Sequence, residues 1–105
     1  MSAKAPEFSL EAVAPGRYAL SGRVQLDNAN QVLEQGERAF AGQAEVVVDL
    51  AGVSQVDSGG LAVLLEWRRV ARIDGRRLGL ESLPAQLLAI ARLSGAEGFL
   101  TGPAG

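Results

Sequence analysis

The stretch Val46-Val47-Val48-Asp49-Leu50, followed by Val56-Asp57-Ser58-Gly59-Gly60-Leu61 and a helical run to Asp74, decides the fold of this chain. The β-branched run reads as a strand, and its continuous apolar character predicts one covered on both faces. A turn closes on Asp-Ser-Gly-Gly, and a helix follows over residues 58–74, stopped by Gly75. Such a strand–turn–helix unit sets one hydroxyl, that of Ser58, at a helix N-terminus. There, unpaired backbone N–H groups and the helix dipole favour an incoming anion or acceptor.

Working outward, residues 8–13 read as a strand and Ala14-Pro15-Gly16 as a turn. Residues 17–24 alternate, with Tyr18, Leu20 and Val24 on one face. Asn28 and Gln31 have capping-box spacing, so a helix is expected next, with Val32, Leu33, Gly36 and Phe40 as its buried stripe. Beyond the central unit come a strand at 78–81, a helix from Pro84 to Leu93 ended by Gly95, and a short last element around Phe99-Leu100. The order β-β-α-β-α-β-α predicts an α/β fold, a mixed sheet covered by helices. At 105 residues the chain fits one domain, 1–105, with residues 1–6 expected to be flexible.

Composition narrows the function classes. The net charge of −2 points away from a general nucleic-acid binder, so no nucleic-acid partner is expected. No apolar run approaches the roughly 20 residues that span a bilayer, so no direct membrane insertion is expected. The chain holds no His and no Cys, and it lacks a Gly-x-Ser-x-Gly elbow and a Walker-type Gly-Lys-Ser/Thr. It is therefore read as a non-enzyme with no cofactor and no metal site.

The helix at 58–74 carries two stripes. Val63, Leu64, Trp67, Val70 and Ala71 suffice as a core stripe. The second holds Ser58, Leu61, Ala62, Leu65, Arg69 and Arg72, with Arg68 at its edge. Leucines beside arginines have the composition enriched at protein interfaces, and the stripe is read as a partner-binding surface. Its plainer reading packs Leu61 and Leu65 under the preceding helix and leaves the arginines as a solvated face. Ser58 reads as a cap contributing about 1 kcal/mol, or as a docking or switch hydroxyl. Gly59 and Gly60 are poor helix formers that leave the backbone bare for a partner or phosphate to approach. Asp57 is expected to share the hydrogen bonding of the turn.

Leu20-Ser21-Gly22, the strand at 46–50 and Asp57-Ser58-Gly59-Gly60-Leu61 together resemble the STAS domain family, over roughly residues 18–100. The resemblance implies the STAS fold, and it makes Ser58, directly after the Asp, the candidate phosphorylation site. Within the family, residues 59–67 and 83–88 look most like the cytosolic STAS subunit of the ABC transporter that moves phospholipid between the membranes of Gram-negative bacteria. That implies an adaptor bound to the transporter's ATPase subunit and, through it, to the permease. Such a chain would be cytoplasmic and peripheral at the inner membrane. The other role in the family is that of an anti-sigma factor antagonist regulated by phosphorylation of the serine. Two departures weaken it: Arg23-Val24-Gln25 stands where those proteins carry an acidic pair, and Gly59 where they commonly carry a second Ser.

Overall fold

The structure, a computed structural model, describes residues 7–102; the expectation of a flexible 1–6 segment lies outside them. Strands β1 (Phe8–Ala14), β2 (Arg17–Val24), β3 (Glu45–Val56) and β4 (Arg77–Glu81) form one sheet in the order β1-β2-β3-β4. β1 and β2 are an antiparallel hairpin with Leu10 opposite Leu20, while β2, β3 and β4 run parallel. Parallel neighbours need crossovers, and helices α1 (Ala29–Phe40) and α2 (Ser58–Ile73) supply them. Helices α3 (Ala85–Leu93) and α4 (Glu97–Thr101) close the chain. The expected order is therefore found, with the last short element a helix.

β3 differs from its reading in two ways. It continues past Leu50 to Val56, paired with the second half of β2 through register shifts. It is also not covered on both faces. Val46, Val48 and Leu50 are buried, whereas Val47 and Asp49 between them are half-buried. Tyr18, Leu20, Val24 and Leu78 share the buried face. The opposite face of the four strands has no fully buried side chain, and an Arg17–Glu81 ion pair at 2.8 Å crosses it from β2 to β4. Valine suits this half-covered face as readily as a fully covered one, so the apolar run alone does not separate the two cases.

The core centres on an aromatic ladder. Tyr18 meets Phe40 edge-on at 5.1 Å, and Phe40 meets Trp67 edge-on at 5.2 Å. The Trp67 indole Nε1 donates to the Leu33 carbonyl at 3.1 Å, tying α2 to α1. Gly36 is buried under that indole, which explains a glycine in mid-helix. Val32, Gly36 and Phe40 form the buried stripe of α1, with Leu33 half-buried at its margin.

The capping box is absent. The Asn28 side chain makes no cap hydrogen bond to α1. Its Oδ1 accepts from Gln25 N at 2.9 Å, and its Nδ2 donates to Arg23 O at 2.8 Å. Holding the β2–α1 connection together occupies both ends of the amide, and Gln31 is left exposed.

Candidate docking site

The first turn of α2 is built by Asp57 rather than by Ser58. Asp57 is the N-cap: its Oδ1 accepts from Gly60 N at 3.1 Å and its Oδ2 from Leu26 N at 3.1 Å. One carboxylate thus satisfies an orphan helix donor and pins the β2–α1 connection to α2. Ser58 becomes the first helical residue, exposed, and its hydroxyl has no hydrogen-bond partner among the described residues. The capping role read for Ser58 is corrected accordingly.

Gly59 and Gly60 are also corrected. Both are buried, and the segment approaching their bare backbone belongs to this same chain. A Cβ on Gly59 would stand 2.6 Å from Leu26 Cα, and one on Gly60 2.6 Å from Val56 Cγ2 with Val24 O closer still. Neither glycine is open to a partner or a phosphate. Their absent side chains let the end of β2 pass across the helix start.

Leu61 is a third correction. It is only 4% exposed and belongs to the core. α2 packs against α1, α3 and α4 as well as the sheet, so its buried arc is wider than the single stripe a helix on an open sheet requires. That arc takes in Gly59, Gly60, Leu61, Val63, Leu64, Trp67, Arg68 and Ala71. Val70, read as core, is half-buried at the other margin.

Ser58, Ala62, Leu65, Arg69 and Arg72 remain outside it, all exposed except the half-buried Leu65. Their spacings of four and three residues place them on one line, about 21 Å long at 1.5 Å per residue. Arg69 donates through Nε and Nη2 to both carboxylate oxygens of Glu66 at 2.8 and 2.7 Å. That hydrogen-bonded pairing holds the Glu66 carboxyl below the ordinary carboxylate range and raises the Arg69 guanidinium. A depressed carboxyl contributes its pairing at neutral pH and loses it as pH falls through the lowered value. Arg72 has no ion pair among the described residues.

Arg68, set by the sequence at the edge of this line, is 8% exposed. Its Nη1 donates to Leu100 O at 2.8 Å and its Nη2 to Gly102 O at 3.1 Å, clamping α4 against α2. Burial, and then the neighbouring Arg72 charge, hold this guanidinium below its ordinary value. The clamp leaves a depression of about 240 Å³ lined by Leu65, Arg68, Arg69, Arg72 and Phe99. Phe99 is 63% exposed; the sequence places it in the last short element but not beside this line. No periodicity signals it, because only the tertiary clamp brings α4 beside α2.

Among the described residues no group of three or more Asp, Glu, His or Cys could hold a metal. No helix there is long and apolar enough to cross a membrane. What the arrangement offers is a linear exposed surface: a hydroxyl at one end, a half-buried leucine beside an exposed phenylalanine in the middle, and guanidiniums at the other end.

Comparison with known proteins agrees with this frame. The fold is that of the anti-sigma factor antagonist SpoIIAA in its unphosphorylated form, at TM-score 0.68 and 17% identity, covering 90% of this chain and 85% of that one. It is also that of the protein TM1081, at TM-score 0.70 and 15% identity, covering 95% and 82%. By sequence the chain is 35% identical over 75 residues to the intermembrane phospholipid transport system binding protein MlaB of Escherichia coli (strain K12), covering 71% of this chain and 75% of that protein. The same figures hold for its Shigella flexneri counterpart. The family profile described as Mlab, STAS domain matches residues 11–102, and this chain belongs to that family.

Proposed function

We propose that this chain is a non-catalytic adaptor that binds and supports the ATPase of an ABC phospholipid transporter maintaining outer-membrane lipid asymmetry. The observation carrying the reading is the 35% identity to a phospholipid transport system binding protein over 71% of the chain. The exposed line on α2 supports it as the place of contact. Ser58 supplies a polar contact at one end. Leu65, with Phe99 beside it, supplies the desolvated centre, and Arg69 and Arg72 meet acids or carbonyls of the partner. Gly59, Gly60 and Leu61 take part from beneath by shaping the helix that carries this line.

Nucleotide binds the partner, an ATPase resembling MlaF. The adaptor changes its turnover by binding one conformation more tightly than the other. Through that partner the chain sits on the cytoplasmic side of the inner membrane, next to the permease. The test is co-purification of the chain with the transporter's ATPase, together with ATPase turnover in its presence and absence. Wild type should co-purify and alter turnover, and Leu65→Asp should do neither. A wild-type chain that neither binds the ATPase nor changes its turnover refutes the reading.

One observation favours a second reading, an anti-sigma factor antagonist switched by phosphorylation. The Ser58 hydroxyl is exposed and has no partner among the described residues, so a kinase could reach it. A phosphate there would add about −1.5 to −2 charge at one end of the line and disturb the interface. Gly59 and Arg23-Val24-Gln25 argue against it. Phosphorylation of the intact chain at Ser58, followed by release from a sigma-pathway kinase rather than from an ABC ATPase, would decide for it.

A further inference from the structure

Leu26 is 78% exposed, yet its backbone is held by contacts on both sides. Its N–H donates to Asp57 Oδ2 at 3.1 Å, and its Cα lies against the bare backbone of Gly59. On the other side, Asn28 bridges Gln25 N and Arg23 O, and Asn28 N returns to Gln25 O at 3.1 Å. Arg23 Nη1 reaches Gln25 Oε1 at 2.6 Å and Asp27 Oδ1 at 2.8 Å, and its Nη2 pairs with Glu7. Burial of the Leu26 side chain contributes little to folding, although everything around it is fixed. An apolar group presented on a rigid loop loses little conformational freedom when it is covered, which is the property of an interface anchor.

We infer that Leu26 is a preorganised anchor that extends the α2 docking line beyond Ser58, and that Asp57 is its positioning residue. The inference rests on the adaptor reading above, and its occupant is the ATPase of that reading. Two observations direct it there. Leu26 abuts the first turn of α2, so a surface covering Ser58 and Ala62 continues onto it. The neighbouring Arg23 is already matched by Glu7 and Asp27, so the patch fits an apolar socket rather than a charged one.

The experiment titrates the intact chain against the purified ATPase. Leu26→Ala should weaken binding by at least about tenfold. Leu26→Asp should weaken it further, with the thermal midpoint of the isolated chain unchanged because the side chain is exposed. Leu93→Asp, at a leucine still more exposed on α3, is the control and should bind like wild type. Asp57→Asn retains one acceptor where two are needed, so it should weaken wild type by about fivefold but add little to Leu26→Ala. Wild-type affinity in both Leu26 variants, with binding lost in Leu65→Asp, overturns the anchor and leaves the adaptor reading standing. Equal losses from Asp57→Asn in both backgrounds overturn the positioning role. Failure of the wild-type chain to bind the ATPase overturns both readings together.

Discussion

A Gly36→Ala substitution should destabilise this domain although alanine is the better helix former. A Cβ at Gly36 would fall well inside 3.0 Å of three atoms of the Trp67 indole. Comfortable carbon–carbon contact needs about 3.5–4.0 Å. Trp67 is 1% exposed and meets Phe40 edge-on at 5.2 Å, so the ring can yield only by disturbing that contact. Overpacking of this kind costs about 1–3 kcal/mol. Displacing the ring also strains the bond from Trp67 Nε1 to Leu33 O, and a buried donor left unpaired costs about 1–3 kcal/mol. Against these stands a helix-propensity gain of about 1 kcal/mol. The net loss is then about 1–5 kcal/mol, which lowers the thermal midpoint by at least about 4 °C for a domain of this size. Urea and thermal unfolding followed by the fluorescence of the single tryptophan measure it directly. Gly98→Ala, where nothing lies within 4 Å, is the control and should be neutral or stabilising by up to about 1 kcal/mol. Gly36→Ala as stable as wild type would refute the view that Gly36 exists for the indole.

Ser58→Ala should change stability by less than about 0.5 kcal/mol, whereas Asp57→Ala should lose about 1–2 kcal/mol, because the cap belongs to Asp57. Denaturant midpoints of the two variants check the order. Leu65→Asp should keep the isolated domain folded, while Leu64→Asp, at 2% exposure, should unfold it through a buried unpaired carboxylate that costs several kcal/mol. Circular dichroism on both decides whether the line on α2 is surface. Ser82 has φ 58°, so Ser82→Gly should stabilise by about 1 kcal/mol in thermal unfolding. Calorimetric titration of the chain with ATP and GTP should show no binding; micromolar affinity for either would sink the adaptor proposal.

The order of elements was legible because each boundary has a local chemical cause. Gly75 and Gly95 adopt φ +72° just past α2 and α3, and the Pro15-Gly16 turn joins β1 to β2. The tryptophan and Phe40 also announce themselves by helical spacing. The errors share a different origin. Gly59 and Gly60 looked unexplained because the segment that requires them, Val24 to Leu26, is more than thirty residues earlier in the chain. Leu61 looked like surface because nothing local says that α2 has neighbours on several sides. Asn28 looked like a cap because its competing partners, Arg23 O and Gln25 N, are offered only once the preceding connection bends.

The same distinction separates the two roles open to Ser58, a helix cap and a docking hydroxyl. If Ser58 were the cap, its hydroxyl would be occupied in holding the first turn, and modifying or covering it would unravel the helix. Asp57 removes that conflict by taking Gly60 N with one oxygen and Leu26 N with the other. Stability of the turn then rests on a half-buried carboxylate, and the exposed hydroxyl next to it is left out of the turn's hydrogen bonding. Under the proposed adaptor reading, two adjacent polar residues divide folding from binding between them. The glycines that follow allow the β2–α1 connection to come close enough for the division to hold. Replacing Asp57 should therefore disturb both folding and docking, while replacing Ser58 should disturb docking alone.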